Sequence, residues 1–151
     1  MKRFALIGVT GLVIAGTALA GTLSVPFFLD NAPDTWSGGW PTTNRTATFI
    51  GLKNNTGSTI TVTVTYTDND GTDATPSPNT FNLLAGQGIS YRPCIDDSVQ
   101  EDANARLVPN KTGATAGSSV YTWTGANSDI TIRLYEKHGA QTSAMSNIWG
   151  N

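Results

Sequence analysis

Residues 59–67 read TITVTVTYT, and this stretch decides the fold class. Ile60, Val62, Val64 and Tyr66 alternate with Thr59, Thr61, Thr63, Thr65 and Thr67. Successive side chains on a strand point to opposite faces, so the apolar set shares one face and the threonines the other. Such a strand covers a core on one side and meets water on the other. Threonine suits the wet side because a β-branched side chain sits well on a pleated surface.

The flanking residues extend the pattern. Asn54-Asn55-Thr56-Gly57 predicts a turn. Before it, residues 46–53 predict a partner strand with Thr48, Ile50 and Leu52 on one face and Phe49 opposite, so the two are expected to form a hairpin. Asp68-Asn69-Asp70-Gly71 predicts a second turn, followed by a polar loop to about Pro78. Further short strands are expected at 79–84 and 88–92, separated by an Ala85-Gly86-Gln87-Gly88 turn. A last pair is expected at 118–124 and 128–135, joined by Gly125-Ala126-Asn127. Residues 23–29 predict a first strand with Leu23, Val25, Phe27 and Leu29 on one face. Pro26 lacks a ladder donor, which puts that strand at a sheet edge. A single helical turn is expected near 98–105. About seven short strands separated by turns predict an all-β, antiparallel β-sandwich, immunoglobulin-like in general shape, with a barrel as the competing architecture.

Ile50-Gly51-Leu52-Lys53-Asn54-Asn55, then Val62-Thr63-Val64-Thr65-Tyr66-Thr67-Asp68, with Gly71 closing the turn, resembles small exported bacterial β-sandwich proteins. The resemblance covers about a sixth of the chain and implies a fold. It implies no site residue, because such sandwiches carry unrelated functions.

Residues 1–20, MKRFALIGVTGLVIAGTALA, have the build of a signal peptide. Lys2 and Arg3 open it, an apolar run from Phe4 to about Ala15 follows, and Ala18 and Ala20 are the small residues before the expected cut. Domain 21–151 then holds 131 residues, enough for one domain with one core. Removing Lys2 and Arg3 leaves seven basic residues against eleven acids, a net charge of −4. A mildly acidic domain is a poor partner for nucleic acid, and no later run is long enough to span a membrane. Export to the periplasm, the cell surface or the medium is the expected localisation. Cys94 is the single cysteine, so the chain has no internal disulfide, and the thiol is expected to be buried or to pair between chains.

Few residues are candidates for chemistry. His138 is the single histidine, which argues against a His-rich metal site and leaves only a Cys94–His138 dyad as a remote nucleophilic arrangement. Neither a phosphate loop, a dinucleotide fingerprint nor a Gly-x-Ser-x-Gly elbow occurs. Asp96, Asp97, Glu101 and Asp102 form one candidate calcium cluster, since calcium takes several oxygen ligands. Asp68, Asp70 and Asp73 form a second, which reads equally as turn chemistry. Trp36 and Trp40 flank a Gly-containing loop and are candidate sugar-stacking residues; as core caps they would have no ligand. Asn44, Asn54 and Asn110 head glycosylation acceptor patterns.

These features lead to two expectations. The first is an exported non-enzymatic surface or extracellular protein, structural or interacting, whose partner is a protein or glycan at the cell surface. Its N-terminal strand is a candidate for homo-oligomer formation by edge pairing. The second is a carbohydrate-binding module using Trp36 and Trp40.

Overall fold

A computed structural model describes residues 20–33, 41, 44–113, 115–139 and, for the backbone, 142–148. Residues 1–19, nearly all of the segment expected to be a leader, and Trp36, Trp40 and Trp149 lie outside the described residues. Among the described residues there are eight strands: β1 (Ala20–Leu29), β2 (Thr46–Asn54), β3 (Ile60–Asp68), β4 (Thr80–Leu83), β5 (Gly88–Tyr91), β6 (Ala116–Thr124), β7 (Ile130–His138) and β8 (Thr142–Ile148). Two short 3-10 turns sit at Ala105–Leu107 and Asn127–Asp129. The strands form two four-stranded antiparallel sheets, ordered β1-β6-β3-β4 and β5-β2-β7-β8. The architecture is the expected β-sandwich.

The alternation in β3 does what its sequence implies. Ile60, Val62, Val64 and Tyr66 are buried in the core between the sheets, while Thr61 and Thr65 face water. Ile50 and Leu52 of β2, Ile89 and Tyr91 of β5, Tyr121 and Trp123 of β6 and Ile132 of β7 meet them there. Thr48 shares that buried face because its hydroxyl donates to the Leu29 carbonyl at 2.6 Å, which satisfies an otherwise costly polar group.

The pairing differs from the sequence expectation in a consistent way. β2 and β3 belong to opposite sheets, so the expected hairpin is instead an arch across the sandwich. The same holds for the turn between β4 and β5 and for the expected last pair, β6 and β7. Asn54 explains the first arch. Its side chain is fully buried and Nδ2 donates to the carbonyls of Ser58 (2.7 Å), Leu83 (3.0 Å) and Leu84 (2.9 Å), tying the end of β2 to the end of β4 in the other sheet. Two strands with apolar inner faces bury them equally well side by side or face to face, and the corner residue decides between these. β3–β4 and β7–β8 are the consecutive strands that pair directly. The likeness to an immunoglobulin domain therefore lies in the stacked sheets and not in the strand order.

β1 lies at a sheet edge, as Pro26 requires, and pairs along its length with β6. Its register shifts between Val25 and Phe28. A bulge rotates the following residues to the other face. Phe28 is therefore buried against Tyr66 (edge-on, 6.3 Å between centroids), and Phe27, expected inside, is exposed.

Candidate functional site on the outer face of the second sheet

The two outer faces of the sandwich differ in chemistry. The outer face of β1-β6-β3-β4 carries threonines, with Thr61, Thr63, Thr122 and Thr124 around an open hollow of about 370 Å³. The alternation that turns Ile50, Leu52, Ile132 and Leu134 inward on the second sheet turns Phe49, Gly51, Lys53, Thr131, Arg133, Tyr135 and Lys137 outward. β5 adds Gly88 and Ser90. The outward positions of β2, β5 and β7 hold three cations and no carboxylate, in a chain of net charge −2.

Register builds a hollow on this face. Gly51 is paired with Ser90 on one side and Arg133 on the other, and Lys53 with Gly88 and Thr131. Glycine at 51 and 88 leaves an open depression of about 370 Å³, lined by Gly51, Lys53, Gly88, Thr131 and Arg133 with Leu52 and Ile89 at its floor. A Cβ at Gly51 would meet nothing closer than 3.7 Å, so the glycine is not demanded by packing. Lys53 Nζ donates to the Gly86 carbonyl, which holds the ammonium at the rim.

A second depression of about 200 Å³ adjoins it, lined by Phe49, Ser90, Gln100, Tyr135 and Lys137. The Phe49 and Tyr135 rings lie 6.3 Å apart, tilted by 37°. Lys137 Nζ sits 5.5 Å from the centre of the Phe49 ring, a cation–π arrangement, and 3.4 Å from Gln100 Oε1. Ala32, Ala47 and Phe49 make a small buried cluster on this side, with Tyr135 packed against it.

The acidic candidates at Asp96, Asp97, Glu101 and Asp102 bond to the loop around them. Asp97 is fully buried, and its Oδ2 accepts from Arg92 Nη1 at 3.1 Å while Oδ1 caps the backbone N–H groups of Val99 and Gln100 at 3.0 Å. Glu101 accepts the backbone N–H groups of Arg92 and Asp97. Asp102 caps Asn104 (2.7 Å) and Ala105 (2.9 Å), and Asp96 accepts from Asn110 Nδ2 at 2.7 Å. Each of the four holds a different part of one loop, and among the described residues no group of three or more His, Cys, Asp or Glu is arranged to hold a metal ion. Asp70 and Asp73 close turns onto Thr72 and Thr75, which holds their carboxyls below the usual range, and Asp68 pairs with Lys111.

Sequence reasoning missed the residue that organises this region. Arg92 is fully buried, with Nε on Asp30 Oδ1 at 3.0 Å, Nη1 on the Pro33 carbonyl at 2.8 Å and Nη2 on the Ala32 carbonyl at 2.7 Å. Its only sequence signal is its place just past an alternating strand, before Pro93. Cys94 lies beside it, half-buried against the main core, its N–H donating to Asp30 Oδ2 at 3.2 Å. Desolvation pushes the thiol up to about 12. His138 has other surroundings: Nδ1 lies 3.0 Å from Thr46 Oγ1 and Nε2 3.5 Å from Glu136. Of the acceptor asparagines, Asn54 is buried with its amide engaged three times, so a glycan has no access to it.

No protein-family model matches the chain, and no curated protein matches it. The crystal structure of Thermotoga maritima 1070 is similar over 87% of this chain and 92% of that one, with a TM-score of 0.49 and 10% identity.

Proposed function

We propose that this chain is an exported, non-enzymatic interaction protein that engages an anionic partner at the cell surface through the outer face of its second sheet. The observation that carries the reading is the cluster of Lys53, Arg133 and Lys137 around two adjoining depressions, on outward positions of β2, β5 and β7 that hold no acid. Cations grouped on one face of an acidic domain create a local field that attracts and orients a negative partner. The half-buried Tyr135 beside them, packed on the buried Phe49 ring, offers an aromatic edge for apolar contact. The leader-like residues 1–20 support export.

An array of acidic and neutral glycans, probed with the purified protein, tests the reading. Binding to acidic glycans that falls at least tenfold in Gly51→Trp, which fills the hollow, and in Lys53→Glu with Arg133→Glu, supports it. Binding unaltered by both changes, in variants with unchanged circular dichroism, rejects this face as the site.

A further inference from the structure

The side chain of Lys111 is fully buried at the end of the sandwich and its ammonium meets the carboxylate of Asp68, itself only 17% exposed. Asp68 ends β3 on the inward face of that strand, and Lys111 lies in the loop that leads to β6. Asp68 Oδ1 is buried and faces Lys111 Nζ directly. The backbone clears space for this contact. A Cβ on Gly117, the residue paired with Asp68 across β3 and β6, would lie 2.8 Å from Lys111 Cε and would also strike the Thr67 carbonyl. Gly113 holds φ +80°, and a Cβ there would lie 3.2 Å from Asp68 Oδ2. The loop is pinned on both sides of the lysine: Lys111 N–H donates to the Pro93 carbonyl at 2.7 Å and Thr112 N–H to the Ala74 carbonyl at 3.0 Å.

From this geometry we propose that Lys111 and Asp68 condense to an intramolecular amide, an isopeptide bond between Lys111 Nζ and Asp68 Cγ. The step balances without an added reagent. A proton passes from the ammonium to the carboxylate, which turns the ion pair into a neutral amine and a neutral acid. The amine lone pair attacks Cγ, one N–H proton moves to the departing hydroxyl, and a single water leaves. The N–H that remains keeps its acceptor, since the Thr112 carbonyl lies 3.0 Å from Nζ.

Burial supplies the driving force. A buried ion pair carries the desolvation of two charges, whereas an amide carries none and releases its water to solvent. The same dry surroundings are felt by Cys94, whose thiol senses both Lys111 and Asp68 and is pushed up by desolvation. A bond between positions 68 and 111 joins the end of β3 to the loop before β6, a cross-link of the kind the single cysteine cannot provide within the chain.

The intact mass of the purified full chain, with its N-terminus assigned by peptide mapping, tests the proposal. The expected result is a mass lower than the sequence requires by one water, and a digest in which the peptides containing Asp68 and Lys111 remain joined. Lys111→Met keeps the apolar stem and removes the amine, so it restores the full mass. Asp70-Gly71 can also lose water, by closing to a succinimide. Water loss that persists in Lys111→Met therefore overturns the proposal, as does a full mass in the folded wild-type protein after prolonged incubation. The wild-type measurement stands even if the variant fails to fold.

Discussion

Arg92 Nε donates to Asp30 Oδ1 at 3.0 Å, and both side chains are buried although 62 positions separate them. The pair joins the end of β1, in one sheet, to the residue that follows β5, in the other. Asp97 and the carbonyls of Ala32 and Pro33 complete the shell of the guanidinium.

Replacing Arg92 leaves two carboxylates in the interior without their cation. Arg92→Met is expected to destabilise the fold by about 3–5 kcal/mol, the usual range for breaking a buried pair from one side. Urea unfolding followed by circular dichroism measures it. Adding Asp30→Asn should recover part of the loss, because it removes one stranded charge; a loss below about 1 kcal/mol in Arg92→Met would contradict this role.

Glu101 gives a pH signature. Burial raises its carboxyl from the ordinary 4.5 to about 7, against the two N–H groups that favour its charged form. The folded protein thus holds a proton that the unfolded chain has released between pH 4.5 and 7. Stability from this group is therefore greatest near pH 4.5 and declines as pH rises to 7. In Glu101→Gln that slope should flatten, as read from unfolding midpoints across the interval, and an unchanged slope assigns it to other groups.

Three tyrosine hydroxyls cross the core between the sheets. Tyr66 and Tyr91 lie 2.9 Å apart at oxygen, Tyr91 pairs in turn with Tyr121, and Ser119 Oγ donates to Tyr121 at 3.1 Å. Burial raises all three phenols, so they remain neutral donors and acceptors at ordinary pH. Tyr91→Phe removes the middle link and is expected to cost about 1–3 kcal/mol, since Tyr66 and Tyr121 each lose a buried partner. A thermal shift indistinguishable from wild type would show that the chain of hydroxyls adds nothing to stability.

Cys94 should resist alkylation. With its thiol pushed up to about 12, almost none is thiolate at pH 8, and the thiolate is the reactive species. Iodoacetamide is expected to modify the native protein far more slowly than the urea-unfolded chain, by mass spectrometry. Equal rates in the two states would mean that Cys94 is not shielded.

The residues that carry the fold class were legible because strand periodicity is a local property. Residues 59–67 and the outer-face pattern Phe49, Gly51, Lys53 follow from alternation alone, which each segment displays without reference to its neighbours. Pro26 likewise announced an edge, because a missing donor is a property of the residue itself. β8 was not legible: residues 142–148 read TSAMSNI, with little alternation, and their strand form comes from pairing with β7 at seven positions.

Partner choice was decided only by the tertiary structure. The β2–β3 segment has the same inner face whether its strands pair or stack, and the buried amide of Asn54 settles it by reaching carbonyls some thirty residues away. The bulge that exchanges Phe27 for Phe28 arises where β1 must follow β6 past a proline. Arg92 with Asp30 and Lys111 with Asp68 are meetings of residues distant in sequence, and each charge looks solvent-exposed until the fold removes the water around it. Alternation by itself determined that this chain builds antiparallel strands with an inward apolar face, and the stacking of two sheets rather than a closed barrel came from the tertiary structure. Which strands neighbour one another, and which charges are buried, depended on long-range contacts that no local pattern encodes.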